Sequence, residues 1–291
     1  MIIVRIWEGL GNQLFQYAFA KSIQHYTREN VVLDCNKSFQ DSLPGAKTSK
    51  VQRAYKLDYF QIKLNKIEME KYRCWGFLHR ENRIQRAVFA LSERGFYPLR
   101  YVHDTGSYDF SEKLLHLHHA YIMGHFQNER YFKNIRKELL QDFTPKDFQP
   151  NEQIKEILGT ANTVSLHIRR TDFKDLGITL DHTYYDKAIA YINDKTVNPV
   201  YLIFCDDLVW AKENINCHAR SYFVSELGNF CDCEELMLMS LCTHNIIANS
   251  TFSWWGAWLN QNEEKIVIAP KRWITKSRGS HKIILKEWIK I

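Results

Sequence analysis

The chain has 291 residues, of which 45% are hydrophobic and 25% are charged, and its formal net charge is +6. At roughly 150 residues per domain, this length predicts two domains or one large one. The composition is that of an ordinary globular protein and excludes the collagen-like and low-complexity classes. The mild positive charge favours an anionic partner without choosing between a nucleotide, a nucleic acid and a membrane surface.

The seven cysteines do not follow a zinc-site spacing. None forms a C-x-x-C pair, and Cys231 and Cys233 are too close in sequence for two ligands of a usual zinc knuckle. We therefore expect free thiols in a reducing cytosol. No signal-peptide pattern precedes the first strand, and no apolar run reaches the ~18 residues of a membrane-spanning helix. These features predict a cytoplasmic protein.

The chain opens with a pattern typical of a βαβ unit. Residues 2–6 form an apolar run, residues 14–26 carry apolar side chains at helical spacing, and residues 31–34 form a second strand that ends in Asp34. Such a unit implies a parallel sheet.

The middle of the chain is harder to interpret. We predict helices over residues 56–71 and 82–93 and a loop over residues 104–109. The charge-rich segment 137–151, which contains Pro145 and Pro150, is expected to be the linker between domains.

The second half alternates apolar strands with helices, which is typical of a buried parallel sheet. Strands are predicted over residues 164–168, 200–204, 221–224, 245–248 and 266–269. Helices are predicted over residues 184–192, 208–214, 234–242 and 252–259.

Polar residues follow three of these strands. They read RRTD at 169–172, CDD at 205–207 and NSTFSWW at 249–255. Ligands of open α/β sheets bind beyond the carboxyl ends of the strands. Arginines bind phosphate through two parallel hydrogen bonds, and a hydroxyl-rich helix start binds phosphate through its N–H groups and dipole. Together the three segments predict a nucleotide-diphosphate site.

Each signal has a structural alternative. An Arg-Arg-x-Asp turn is often a surface ion-pair network, and an Asn-Ser-Thr run is usually a helix cap. The tryptophans at 254 and 255 are more often core residues. The turn Gly9-Leu10-Gly11 is similar to a dinucleotide fingerprint, but Leu14 occupies the place of the third glycine. This departure disfavours a nicotinamide or flavin dehydrogenase.

Four segments together resemble the bacterial α-1,2-fucosyltransferases of glycosyltransferase family 11. They are GLGNQLFQYA at 9–18, HIRRTD at 167–172, DDLVW at 206–210 and IIANSTFSWWGAW at 246–258. Three features depart from the family. Glu8 stands where the family usually has glycine, Cys205 replaces a common serine, and the stretch 173–184 is shorter than usual.

The resemblance implies an α/β, GT-B-like fold of two Rossmann-like domains facing across a cleft. We expect an acceptor-side domain over residues 1–145 and a GDP-fucose-binding domain over residues 146–291, with a last helix that could return to the first domain. The implied reaction transfers L-fucose from GDP-β-L-fucose to the 2-hydroxyl of a β-galactoside, with inversion and without a cofactor or metal. The acceptor would be an oligosaccharide or a lipid-linked glycan.

The resemblance and the strand-end pattern also name the site residues. Arg169 is expected to bind the β-phosphate and the leaving oxygen, whereas Arg170 either binds phosphate or holds Asp172. Asn12 is assigned to catalysis with Arg169 and Asp172. The expected donor-binding residues are Gly11, His167, Arg169, Arg170, Asp206, Glu235, Asn249, Ser250, Thr251 and Ser253.

Two roles concern acidic residues: the catalytic base and the carboxylate that binds guanine. The catalytic base is left open among Asp172, Asp175, Asp181 and His182. A carboxylate accepts both N1–H and N2–H₂ of guanine, and Glu235 lies where related fucosyltransferases carry such a group, usually Asp. Glu234 is expected to be a first-turn acid favoured by the helix dipole.

Other functional classes fit the sequence less well or in part. A nucleic-acid binder should show clustered Lys and Arg with interleaved aromatics, whereas these charges are dispersed. A different GDP-sugar-dependent transferase of the same fold remains an alternative. We also consider weak peripheral contact of residues 76–96 with an anionic inner membrane, against the more common case of a solvated helix.

Overall fold

The structure is a computed structural model that describes residues 1–35, 54–67, 100–160, 162–274 and 279–291. The chain divides into two compact units, Met1–Thr144 and Pro145–Ile291. Each unit is built on a sheet whose neighbouring strands are parallel. This is the two-domain α/β architecture that the sequence predicts.

The described part of the first unit contains a five-stranded sheet in the order β3-β2-β1-β5-β4. Its strands are β1 (Ile2–Arg5), β2 (Val31–Asp34), β3 (Asn65–Ile67), β4 (Arg100–His103) and β5 (Ala120–Met123). Its α-helices are α1 (Leu10–Thr27) and α2 (Arg136–Asp142). Short 3₁₀ turns cover Leu57–Tyr59, Glu112–His116, Glu129–Tyr131 and Lys133–Ile135.

The described part of the second unit contains a six-stranded sheet in the order β11-β10-β9-β6-β7-β8. Its strands are β6 (Thr163–Ile168), β7 (Val200–Cys205), β8 (Arg220–Phe223), β9 (His244–Ile246), β10 (Val267–Ala269) and β11 (Ile289–Lys290). Its α-helices are α3 (Glu152–Leu158), α4 (Thr171–Leu176), α5 (His182–Lys195), α6 (Leu208–Asn214), α7 (Val224–Leu227), α8 (Asp232–Leu241) and α9 (Thr251–Leu259). A 3₁₀ turn covers Ser280–Ile283.

The central strand β6 explains why the sequence pattern of the second unit is continuous rather than alternating. All six of its residues are buried, because helices cover both faces of a parallel sheet. Helix α5 buries Tyr184, Ile189 and Ile192 in the same apolar cluster as the β6 side chains. Burial of these faces is the main favourable contribution to the stability of the unit.

The tryptophans of α9 belong to the core, as the structural alternative predicted. Trp254, Trp255 and Trp258 are at most 2% exposed and their rings contact one another. The indole nitrogen of Trp254 donates to the Ile283 carbonyl at 2.8 Å, which ties the C-terminal 3₁₀ turn to the helix. These buried rings therefore hold α9 in place.

The predicted helix over residues 56–71 is wrong for its described part. Leu57, Phe60 and Leu64 have helical spacing and are buried, but a 3₁₀ turn and a short extended segment leading into β3 bury them. The predicted helix 82–93 and the membrane-contact segment 76–96 lie outside the described residues.

Two further boundaries differ from the sequence prediction. The expected linker 137–151 begins inside α2, because Leu139 and Asp142 are buried and tie the helix to the first unit. At the C-terminus, the chain forms strand β11 beside β10 instead of a last helix.

Candidate active site

The predicted strand-end segments meet at the point where the order of the second sheet reverses. From β6 the chain moves outward on one side to β7 and β8, and then on the other side to β9, β10 and β11. Open α/β sheets bind ligands beyond the carboxyl ends of their strands at this position. Arg169 follows β6, Asp206 follows β7, and Asn249 lies just beyond β9.

Arg169 is fixed by two carboxylates. Its Nη2 lies 2.8 Å from Asp172 Oδ1 and its Nη1 lies 3.0 Å from Asp206 Oδ2. The side chain is 23% exposed, so a ligand can reach it. The planar fork of the guanidinium is thereby oriented before any anion arrives, which reduces the entropy lost on binding.

Arg170 contacts a different set of groups. Its guanidinium lies 3.7 Å from the centroid of the Trp210 ring, and its Nε is 3.5 Å from Asp207 Oδ2. Lys174 pairs with the same carboxylate at 2.6 Å. The ion pair that Asp172 makes with an arginine at 2.8 Å is with Arg169.

Asp206 organises the loop that carries both arginines. One carboxylate oxygen accepts from the backbone N–H of Arg170 at 2.8 Å, and the other accepts from the Thr171 hydroxyl at 2.7 Å. These bonds fix the start of α4. The structure therefore gives Asp206 a positioning role in this loop, besides the donor contact predicted from sequence.

His167 is neutral in this environment. Its side chain lies in β6, its ring centroid is 5.5 Å from that of Phe252, and it is 6% exposed. Burial, and then the charge of Arg169, lowers the pKa of His167 to about 3. Within the described residues its Nδ1 has no hydrogen-bond partner. A buried polar atom without a partner costs free energy, which marks it as available to a ligand.

The N-terminus of α9 is a second feature, besides the arginines, that can bind an anion. Ser250 is the N-cap and accepts from the Phe252 N–H at 3.4 Å, while the Ser253 hydroxyl donates back to the Ser250 carbonyl at 3.4 Å. Thr251 is the first helical residue and is half-buried. The N-terminal N–H groups and the dipole of this helix favour a negative ligand.

Asn249 holds the loop before α9. Its Nδ2 donates to the carbonyls of Ile178 and Trp273 at 2.8 and 3.0 Å. Its Oδ1 is buried and has no partner among the described residues. The amide nitrogen is thus committed to structure, whereas the oxygen can accept a hydrogen bond from a ligand.

The two glutamates of α8 differ in environment. Glu234 accepts a hydrogen bond from the Cys231 N–H at 2.7 Å and so caps its own helix, in agreement with the sequence interpretation. Glu235 is half-buried, and burial, followed by the charges of Asp232 and Asp206, raises its pKa to about 7. The interaction with Asp206 places the Glu235 carboxylate near the strand-end site.

The candidate bases differ in their contacts. Asp172 pairs with Arg169 at 2.8 Å. Asp181 caps α5 by accepting from the Thr183 N–H at 2.9 Å, and it pairs with His182 at 3.1 Å. Asp175 is exposed on α4. Of the four, Asp172 is directly tied to the arginine of the strand-end site.

The first-unit motif places Gly11 and Asn12 in the first turn of α1. Asn12 Nδ2 donates to Glu8 Oε2, and Asn12 Oδ1 accepts from Gln127 Nε2 at 2.7 Å. Sequence reasoning missed Glu8 and Gln127 as partners of this motif. The departure of Glu8 from the glycine usual in the resembled family was the available signal.

One group of the described residues has ligand atoms close enough for a metal ion. The atoms of Cys231, Asp232 and Cys233 lie within 4.8 Å of one another. The six cysteines in the described ranges are free thiols. A search of the same ranges finds no helix with the length and apolar character needed to cross a membrane.

The fold defines a GT-B-type glycosyltransferase architecture of two Rossmann-like units. The family model for glycosyl transferase family 11 matches residues 1–291, so the chain belongs to this family. The resemblance carried by the four segments is thereby confirmed.

Two Escherichia coli proteins are similar to the chain over nearly their whole length. The O-antigen biosynthesis glycosyltransferase WbnK is 32% identical and the match covers 97% of this chain and 98% of WbnK. An alpha-1,2-colitosyltransferase is 30% identical, with 100% and 99% covered. A galactoside alpha-(1,2)-fucosyltransferase 2 from Pongo pygmaeus is 24% identical over 51% of this chain and 48% of its own.

A solved structure supports the fold. A mutant of Arabidopsis thaliana FUT1 in complex with GDP superposes with a TM-score of 0.54, at 11% identity, covering 94% of this chain and 71% of that one.

Proposed function

We propose that this glycosyltransferase transfers L-fucose from GDP-β-L-fucose to the 2-hydroxyl of a β-galactoside, forming an α-1,2 linkage with inversion. The observation that carries the proposal is the Arg169 guanidinium, fixed by Asp172 and Asp206 where the order of the second sheet reverses. The relatives whose names describe α-1,2 transfer of fucose or colitose support the linkage.

The arginines supply the positive charge that the reaction needs. As the bond between the sugar and the diphosphate breaks, negative charge develops on the leaving oxygen. A guanidinium held in place beforehand stabilises this charge without reorganisation. Arg169 is proposed to contact the β-phosphate, with Arg170 and the N-terminus of α9 binding the remaining phosphate oxygens. We propose that no metal ion is required, because these groups perform its electrostatic role.

The nucleobase of the donor is proposed to be guanine. Glu235, whose carboxylate interacts with Asp206, is proposed to accept from both N1–H and N2–H₂ of guanine when it is ionised. Adenine lacks this pair of donors and would leave the carboxylate unpaired. His167 Nδ1 and Asn249 Oδ1, both buried without partners in the described residues, complete the set of groups available to the nucleotide.

One of the similar proteins supports a different sugar-nucleotide donor. The relative named as a colitosyltransferase is 30% identical and matches along the entire chain. GDP-colitose is therefore the alternative donor for the same diphosphate and guanine contacts.

The test is a glycan-acceptor screen in the presence of EDTA, with GDP-fucose, GDP-colitose and GDP-mannose compared in parallel. We expect GDP release with GDP-fucose and a β-galactoside, and an α-1,2 linkage in the product by NMR. Turnover of GDP-colitose or GDP-mannose in preference to GDP-fucose would refute the donor assignment. Loss of activity on adding EDTA would refute metal independence.

The acceptor is proposed to be an oligosaccharide or lipid-linked glycan of a bacterial surface polymer. The relative named for O-antigen biosynthesis supports this class. A lipid-linked acceptor would bring the enzyme to a membrane surface, so weak peripheral contact is part of the proposal. Flotation with anionic liposomes tests this part separately, and no co-flotation would exclude it.

A further inference from the structure

The start of helix α8 carries two cysteines that flank an aspartate. Cys231 is the N-cap of the helix, and Asp232 and Cys233 are its first two residues. Their ligand atoms, two sulfurs and one carboxylate oxygen, lie within 4.8 Å of one another. The C-x-C spacing differs from that of a zinc knuckle, but the turn of the chain into the helix brings both sulfurs close together.

Two sulfurs and one carboxylate oxygen favour a particular class of metal ion. Thiolates select soft or borderline ions such as Cu(I) and Zn²⁺, whereas ligand sets made only of oxygen suit Mg²⁺ and Ca²⁺. Zn²⁺ accepts sulfur and carboxylate oxygen together and is usually bound by four ligands. Three side chains at one place therefore match a divalent ion of this class and leave its fourth position to water.

The capping interactions of α8 orient the first of these sulfurs. Cys231 Sγ accepts from the backbone N–H of Glu234, and the Glu234 carboxylate accepts from the Cys231 N–H at 2.7 Å. Hydrogen bonds of this kind fix the ligand atoms of metal sites and tune the bound ion. The N-terminal dipole of the helix also stabilises the negative charge that a metal-bound thiolate carries.

The cluster is open to solvent on one side and fixed to the core on the other. Cys231 is exposed and Asp232 is half-buried, whereas Cys233 is only 3% exposed. The next turns of α8 bury Leu236 and Met239. An ion can therefore reach the cluster from solvent, and its ligands are held by a packed helix, which positions them more precisely than a loop does.

We propose that Cys231, Asp232 and Cys233 bind a thiophilic divalent cation of the zinc class through two sulfurs and one carboxylate oxygen. On binding, each thiol loses its proton to solvent as its sulfur bonds to the ion. The ion is assigned no step of glycosyl transfer and fixes the start of the helix that carries Glu235. The inference does not rest on the proposed function, because binding is measured without donor or acceptor.

The test titrates metal ions into the reduced full-length chain. Cd²⁺ is followed by the ultraviolet absorption of its bonds to thiolates, and Zn²⁺ by competition with a chromophoric chelator. Excess Mg²⁺ should not displace either ion. Loss of an outer partner of a metal ligand costs about 10–100-fold in affinity, so Cys231→Ser, which removes a ligand, should weaken binding at least about 100-fold. Asp232→Asn should weaken it at least about tenfold and keep the thiolate absorption.

Cys231→Ser separates metal binding from folding. Serine is a preferred N-cap residue, so this variant should melt at or above the wild-type temperature when no metal is present. Zn²⁺ should raise the melting temperature of the wild type more than that of the variant. Cys205→Ser is the control, because it removes a half-buried thiol of the same unit that lies outside the cluster, and it should bind both ions as the wild type does.

The comparison between proteins isolates the cluster. Cys74 lies outside the described residues and is present in every protein compared, so its contribution cancels. Equal affinity for Cd²⁺ in the wild type and Cys231→Ser would overturn the inference, and so would displacement of Cd²⁺ by Mg²⁺ or loss of binding in Cys205→Ser. A chain that binds the ion in this way but transfers no sugar would refute the proposed function alone.

Discussion

Arg169 and Asp206 form a 3.0 Å ion pair, although they follow different strands of the second sheet. The register of β6 and β7 pairs Ile168 with Cys205, so the next residue of each strand emerges side by side. The sheet itself thus fixes the guanidinium. This differs from a flexible surface pair, which contributes little because both side chains lose entropy on meeting.

Arg169→Ala is expected to reduce turnover by about 10²–10³-fold, the usual effect of removing one preorganised charge donor from a developing anion. Arg169→Lys should recover little of this loss, because a lysine cannot bridge Asp172 and Asp206 with a planar fork. GDP release with donor and acceptor present measures the effect. Near-wild-type turnover of Arg169→Ala would contradict the assignment.

Arg170→Ala is the matched comparison for Arg169. Its guanidinium stacks on Trp210 and pairs with Asp207, so its charge is partly used within the protein. We expect a smaller loss of turnover than for Arg169→Ala, with both variants checked for melting temperature. If Arg170→Ala causes the larger loss at unchanged stability, Arg170 is the group on the leaving oxygen.

The second sheet could be predicted from sequence because its strands are buried on both faces. Residues such as those of β6 and β7 form apolar runs that polar segments interrupt, and the runs match the observed strands closely. The first sheet was predicted less completely. Strand β3 reads Asn-Lys-Ile at a sheet edge, and its residues are exposed or half-buried, so no hydrophobic pattern marks it.

Part of the candidate active site could also be predicted, for a related reason. The arginines, carboxylates and Ser250 could be expected at strand ends, since the strands themselves were recognisable. Which carboxylate pairs with which arginine depends on the register between β6 and β7, which no local pattern encodes. The left-handed turn at Glu8 and its contact with His125 depend in the same way on β5, a strand far away in sequence.

Asn249→Ala should destabilise the second unit. The substitution removes the amide that donates to the carbonyls of Ile178 and Trp273. A buried acceptor left without a partner costs about 1–3 kcal/mol, so the free energy of unfolding should fall by at least that amount in urea titrations. The control is Asn262→Ala, whose side chain accepts from the Glu264 N–H in an exposed turn. Equal losses in both variants would contradict a special role for Asn249.

Gly256→Ala tests the packing of α9 on α8. An added Cβ would lie 2.8 Å from Met239 Cβ and 3.2 Å from its sulfur, so the helices must separate. Overpacking of this kind costs about 1–3 kcal/mol of unfolding free energy. Gly159→Ala is the control, since its Cβ would come no closer than 3.4 Å to another atom and its backbone is helical. An unchanged midpoint for Gly256→Ala would mean that Met239 moves aside freely.

Glu235→Gln should weaken GDP binding by about 1.5–3 kcal/mol, the range for losing a hydrogen-bond partner that is charged. Glu234→Gln should change it much less, because the Glu234 carboxylate is used within its own helix, where it accepts from the Cys231 N–H. Calorimetric titration of GDP into both variants measures the difference. Equal and small losses would mean that another group reads guanine.

The raised pKa of Glu235 makes guanine recognition depend on pH. Its pKa is about 7 in the folded chain, so the carboxylate is mostly protonated at pH 6 and mostly ionised at pH 8. If the ionised form reads guanine, GDP should bind up to about tenfold more tightly at pH 8 than at pH 6. Glu235→Gln should lose this component and keep the part due to phosphate titration, which the variant therefore isolates.

Stability should change in the opposite direction. A folded-state pKa above the ordinary 4.5 means that the folded chain holds the extra proton, so the free energy of unfolding falls as pH rises from about 4.5 through 7. Relative to Glu235→Gln, the wild type should lose melting temperature over that interval while it gains affinity for GDP. Parallel pH profiles for the two proteins in both measurements would show that Glu235 titrates elsewhere and does not read the base.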